Sequence, residues 1–173
     1  MVLNGKSLYD AAPIVNMIAG KGYCHGTSFG LGEAGYDIRI KQDIHFHEND
    51  QGKRVVTTPL PKINHLNRKL TLPGRFTLAS AIEEFRMPYN LTGIVHDKST
   101  WARRGLSVFN TVIEPGWSGF LTLELVYHGE GELIVPAGAG IAQVMFHMLF
   151  NEAAYNGKYQ NQEDQPVPAR DSV

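Results

Sequence analysis

The chain is a succession of short runs in which polar and apolar residues alternate, cut apart by 18 glycines and 9 prolines. A period of two sends successive side chains to opposite faces of an extended backbone, and closely spaced turn residues keep each run short. This pattern specifies an all-β barrel or sandwich and leaves little room for helix. The reading is clearest in Phe120-Leu121-Thr122-Leu123-Glu124-Leu125-Val126-Tyr127, where Leu121, Leu123, Leu125 and Tyr127 share one face and Thr122, Glu124 and Val126 the other. Tyr36 to Ile40 and Ile44 to His47 alternate in the same way. Arg75-Phe76-Thr77-Leu78 begins another extended run, and Leu133-Ile134-Val135 with the apolar run from Ile141 completes a meander. Pro59, Pro61 and Leu72-Pro73-Gly74 punctuate the middle, while Ala79 to Phe85 fits strand or helix. The expected exception is a short N-terminal helix over Leu8 to Ala19, capped by Ser7 and stopped at Gly20 and Gly22.

A length of 173 residues fits one domain with a sizeable core. With 16 Lys+Arg against 17 Asp+Glu the chain lacks the basic footprint of a duplex-DNA binder, although a local pocket for a small anion stays open. The single cysteine, Cys24, cannot close an internal disulfide, and Asp10 and Pro13 interrupt any signal-peptide core. The best apolar run, Ile141 to Phe150, is broken by Gln143 and His147 and falls short of the ~18 residues that cross a bilayer. The expected setting is the cytoplasm, with neither nucleic acid nor membrane as partner. Residues 1–150 read as the domain. Residues 151–173 read as a polar tail that cannot bury enough apolar surface to order itself, and so as a frayed end or a lid over a ligand.

Lys98, Ser99, Thr100 and Arg103 put two cations and two hydroxyls into six residues, an inventory suited to phosphate oxygens but also to a solvated surface. Glu124, mid-strand between Leu123 and Leu125, is either a carboxylate on the solvent face or a desolvated one whose raised pKa suits acid-base chemistry. Glu114 sits before the Pro115-Gly116 turn. His45 and His47 point to one face near Glu48, which starts a metal site only if a third ligand joins them, and none stands at a recognisable spacing. The Pro-Cys-x-x-Cys of zinc deaminases is excluded by the cysteine count.

Gly35-Tyr36-Asp37-Ile38-Arg39, Phe85-Arg86-Met87-Pro88, Lys98-Ser99-Thr100-Trp101-Ala102-Arg103, Glu114-Pro115-Gly116-Trp117-Ser118-Gly119, Thr122-Leu123-Glu124, Gly140-Ile141-Ala142-Gln143 and Gly157-Lys158-Tyr159-Gln160 follow one another from about residue 30 to about residue 165. In order and spacing they resemble the dCTP deaminase family of the dUTPase-like superfamily. The resemblance implies a distorted β-barrel or jelly-roll protomer, a homotrimer with active sites at subunit interfaces, and catalysis without protein-bound metal. It makes Glu124 the catalytic glutamate and gives Ser99 and Arg103 the task of orienting it and the attacking water. It assigns Lys98, Ser99 and Thr100 to the triphosphate, with Trp101 and Ala102 in the same motif. Thr111, Val112 and Glu114 fall beside the nucleotide, Thr122 and Leu123 flank the pyrimidine, and Gln143, Tyr155, Lys158 and Gln162 match further nucleotide contacts, making the tail a lid. Magnesium rides on the triphosphate and zinc is not required.

Three departures stand out. Seven residues separate Leu106 from Glu114, fewer than in many relatives, and no arginine precedes Ile113. Asp97 stands beside the phosphate stretch, where it repels the ligand unless it points away. The expected reaction is hydrolytic deamination of a deoxycytidine nucleotide. Its rivals are a dUTP diphosphatase, alone or combined with deamination, that uses Glu114 to aim water at phosphorus, and a non-catalytic nucleotide-binding trimer.

Overall fold

The computed structural model describes residues 1–60 and 68–171. Pro61, read as a break between strands, lies outside them. In chain order the elements are β1 (Val2–Leu3), α1 (Gly5–Ala11), β2 (Lys21–Cys24), β3 (Thr27–Leu31), β4 (Tyr36–Arg39), β5 (Ile44–Glu48) and β6 (Arg54–Pro59). There follow β7 (Lys69–Pro73), β8 (Phe76–Arg86), β9 (Leu91–Asp97), α2 (Ser99–Ala102) and β10 (Leu106–Val108). The last are β11 (Val112–Ile113), β12 (Ser118–Tyr127), β13 (Leu133–Val135) and β14 (Gly140–Met148).

The N-terminal helix is shorter than expected and starts earlier. Ser7 lies inside it, and Asn4 precedes it with its amide turned to Glu33 O. It ends because Ala12 takes a left-handed conformation and the next residue, Pro13, has no N–H to carry the ladder on. The ambiguous stretch from Ala79 to Phe85 belongs to β8, an 11-residue strand that pairs with β12.

All named strands pair antiparallel, as an alternating pattern requires, and the described residues form three sheets with no sheet closed on itself. The largest runs β11-β9-β14-β4-β3-β2, with β1 also on β14; the second is β10-β12-β8, the third β13-β5-β6-β7. Isolated bridges at Ile14–Phe85 and Ile40–Ala81 tie the large sheet's connections to β8. One continuous core with Tyr36, Phe46, Phe85, Trp101 and Phe146 fully buried holds the layers together. Where β14 begins, a side chain on Gly140 would meet Ser28 O at 1.9 Å, so only glycine admits this approach. The described residues contain no helix long and apolar enough to cross a membrane.

The tail takes a defined path along the start of β12. Asn161 N donates to Ser118 O at 3.0 Å, Phe120 N to Gln162 O at 3.2 Å, and Trp117 Nε1 to Tyr159 O at 2.6 Å. The segment has few apolar residues of its own to fold around, and it orders by taking up backbone groups of β12 that would otherwise face water.

Candidate active site

Every second residue of β12 is buried, so Leu121, Leu123 and Leu125 enter the core and Thr122 and Glu124 face the other way. The β8–β12 register shifts between Phe120 and Thr122, an irregularity that turns the strand just before these two side chains. They line a cavity of about 420 Å³. Thr111, Val112 and Glu114, around β11, form another part of its wall, and Tyr155 and Gln162 of the tail a third.

Glu124 is half-buried, and burial holds its carboxyl above the ordinary carboxylate range; a bond from its own backbone pulls weakly the other way. Its Oε2 is shielded from water and has no hydrogen-bond partner. A desolvated carboxyl at a cavity wall is equipped to take up and return a proton.

The structure brings seven of the expected site residues together: Glu124, Thr122, Thr111, Val112, Glu114, Tyr155 and Gln162. The others lie elsewhere in the protomer. Ser99 and Arg103 are exposed on and beside α2 and do not line the cavity; nor do Thr100 and Ala102. Trp101 belongs to the core, with Nε1 donating to Gly140 O at 2.7 Å. Leu123 points into the core. Gln143, on β14, stands in register with Asp37 on one side and His96 on the other. Lys158 is exposed and donates to Arg170 O.

Lys98 is not a free cation in the protomer. Its ammonium donates to Asp37 Oδ2 and, at 2.9 Å, to Ser28 Oγ, and only 12% of its side chain is exposed. Asp97 turns from the phosphate stretch, since its Oδ1 accepts Val108 N at 2.7 Å. The acid beside Lys98 is therefore Asp37, whose Oδ1 is buried without a partner.

Trp117, Tyr159, Val167 and Phe76 also line the cavity without having been expected there. Trp117 and Tyr159 lie inside motifs quoted for the resemblance, and the prolines flanking Val167 mark a stiff segment; Phe76 left no signal. His45 bonds Glu132 and His47 bonds Thr57 Oγ1 at 2.9 Å, the rings stacked 4.3 Å apart. Among the described residues no three His, Cys, Asp or Glu gather at metal-binding distance.

The family model for dCTP deaminase-like domains matches residues 19–149. The chain belongs to this family. The match takes in the β12 strand with Glu124 and stops just before the tail. A dCTP deaminase of Protochlamydia amoebophila is 37% identical over 82% of this chain and 80% of its own length. Another, of Sulfurovum sp., is 33% identical over 94% of this chain and 91% of its own, so that similarity extends beyond the matched domain. Among solved structures, a 2'-deoxycytidine 5'-triphosphate deaminase from Agrobacterium tumefaciens has a TM-score of 0.53 at 14% identity, covering 85% of this chain and 47% of its own. A variant dUTPase of Staphylococcus bacteriophage 80alpha has a TM-score of 0.51 at 12% identity over 84% of this chain and 85% of its own. At such identities these two structures speak to the fold alone, and they place the family member on a dUTPase-like, all-β scaffold.

Proposed function

We propose that the protein is a dCTP deaminase, converting dCTP and water to dUTP and ammonia. The observation that carries the reading is Glu124: a desolvated carboxyl at the wall of a cavity of about 420 Å³, in a chain whose relatives are dCTP deaminases. Water attacks C4 of the cytosine as Glu124 removes its proton. The carboxyl passes that proton to the ring nitrogen, takes the second proton of the added hydroxyl, and delivers it to the amine, which leaves as ammonia. A raised pKa suits a group that must hold a proton between these steps.

Thr111, Val112 and Thr122 lie beside the base, and Leu123, its side chain in the core, has only backbone to offer. Gln143, Tyr155, Lys158 and Gln162 are nucleotide contacts, with residues 151–173 as the lid. Lys98, Ser99 and Thr100 serve the triphosphate, magnesium arrives on its oxygens, and the enzyme works in the cytoplasm. Ser99 and Arg103 orient the water and carboxylate from a neighbouring subunit of a homotrimer, in which the sheets complete a distorted barrel or jelly roll. Two features support assembly. These side chains do not line the cavity of their own protomer, and beside that cavity Phe76, Phe109 and Val112 leave an apolar rim, 48%, 51% and 57% exposed.

Glu114 lines the same cavity, which keeps dUTP diphosphatase as the second reading. One assay decides between them: protein and magnesium with dCTP, dCMP or dUTP, resolving ammonia, dUTP, dUMP and pyrophosphate. Ammonia and dUTP from dCTP are expected. No ammonia from any substrate overturns deamination, and dUMP with pyrophosphate from dUTP alone establishes the diphosphatase.

A further inference from the structure

The tail is held in two stages. As far as Gln162 it carries a backbone ladder, with Tyr155 N on Pro115 O at 2.8 Å, Asn161 N on Ser118 O, and a parallel bridge between Gly119 and Gln162, reinforced by the Trp117 and Gln160 side chains. Past Gln162 that ladder stops. Residues 166–168 read Pro-Val-Pro, so Val167 carries the one backbone N–H among them, and it donates to Thr122 Oγ1 at 2.9 Å. The prolines fix φ on either side, and the one that follows pushes Val167 to an extended conformation. A segment stiffened in this way loses little conformational entropy on docking.

Thr122 precedes Glu124 by two residues on the same face of β12, and Val167 and Ala169 line the cavity with them. The other ties of this segment lie nearer solvent: Lys41 with Asp164, and Arg170, whose Nη1 donates to Lys158 O at 2.6 Å and whose N donates to Tyr159 Oη at 3.1 Å. The Lys41–Asp164 ion pair, with side chains 39% and 48% exposed, contributes little, and the Arg170 hydrogen bonds are exposed, whereas the one to Thr122 is part-buried.

We infer that residues 163–170 form a flap that opens and closes as a unit past Gln162, and that Thr122 is its latch. Thr122 is then a positioning residue whose hydroxyl acts through Val167, while its place on β12 stays beside the base. Lys158 is coupled to the same motion, because its ammonium donates to Arg170 O in the closed flap and is released when the flap lifts. Deepening the deaminase reading in this way makes the kinetic arm of the test rest on it; the structural arm does not.

The test compares Thr122→Val, which removes the hydroxyl at nearly constant shape, with Thr122→Ser, Val167→Pro and Val167→Ala in the full-length protein. Amide hydrogen exchange of residues 163–170 is read without nucleotide, and kcat and KM are read with dCTP and dCMP. Thr122→Val and Val167→Pro each speed exchange about fivefold, as expected for one net hydrogen bond. Both lower kcat/KM by a similar factor for both nucleotides. Thr122→Ser and Val167→Ala stay near wild type, and the double variant Thr122→Val, Val167→Pro is no worse than either single one, because both remove the same bond. Unchanged exchange in Thr122→Val, or multiplying effects in the double variant, overturns the latch. If Thr122→Val fails to fold, the Val167 pair decides, since equal exchange in Val167→Pro and Val167→Ala overturns the proposal. Absence of ammonia from wild type sinks the deaminase reading and leaves the exchange measurement standing.

Discussion

Glu83 and Glu124 are both held above the ordinary carboxylate range by burial, but their surroundings differ in one respect. Glu83 is answered on both oxygens, by Arg39 N at 2.8 Å and Arg39 Nε at 2.9 Å, and so joins β4 to β8. Glu124 keeps an oxygen idle. Substituting Glu124→Gln should therefore lower turnover of dCTP at least about a hundredfold, the low end for a lost acid-base group, with binding changed less than about tenfold. Turnover above a few per cent of wild type in steady-state assays removes Glu124 from that role. The same residue sets a pH signature. As the base it must be ionised, so the acid limb of kcat/KM should have its midpoint above the ~4.3 of a free glutamate. Its effect on stability has the opposite sense. A carboxyl whose folded pKa is raised contributes stability fully present below the unfolded pKa and lost as pH rises through the folded one. Glu124→Gln should therefore melt above wild type at pH 7, with the gap closing towards pH 4; equal melting temperatures at pH 7 would show that the ionised carboxyl is not strained. The leucines that flank Glu124 singled it out without deciding between a solvated and a desolvated carboxylate, and the resemblance supplied its expected role. The Asp37–Lys98 pair was not legible, since its partners lie 61 residues apart and only the sheet order brings β4 and the end of β9 to opposite sides of β14.

At the scale of elements, β12 does two jobs, and its alternation exposed only one. The period of two correctly separated the core leucines from Thr122 and Glu124, because side-chain direction is a local property of a strand. Docking of the tail escaped, because composition counts apolar side chains whereas this contact is made by backbone groups and polar side chains. The helix boundaries slipped for a related reason: Pro13 ends α1 two residues after Ala11, which a count of apolar positions does not register. Gly119 offers a direct test of the tail contact. Its φ of +131° suits glycine, and a Cβ there would meet Gln162 N at 2.5 Å. Gly119→Ala should detach the tail, lower kcat/KM for dCTP about tenfold or more by leaving the cavity open to water, and speed tryptic cleavage after Lys158. A tail as resistant to trypsin as in wild type would show that the close approach is not what holds it.

The whole molecule raises a question that a single protomer leaves unanswered, since the groups expected to serve one reaction lie in two places. Glu124 lies in the cavity, while Ser99 and Arg103 stand exposed at α2, outside it. Moving α2 to the cavity within one chain would mean uprooting Trp101, which is 1% exposed and bonded to Gly140 O, and breaking the Lys98–Asp37 pair. Breaking a buried ion pair alone costs about 3–5 kcal/mol. A second copy would meet the same need without disturbing the core, by bringing its own α2 to the apolar rim of Phe76, Phe109 and Val112. Closed symmetry then repeats the arrangement at every interface. The prediction is complementation. Glu124→Gln protein and Ser99→Ala, Arg103→Ala protein should each be inactive alone and should recover deamination when their subunits are exchanged by mild unfolding and refolding together. For a trimer with random mixing, equal parts of the two put an intact site at about a quarter of the interfaces, so recovery should approach a quarter of wild-type activity. Light scattering on the same samples should report three times the protomer mass. A monomer at assay concentrations, or mixtures no more active than their parents, would mean that Ser99 and Arg103 act nowhere near Glu124.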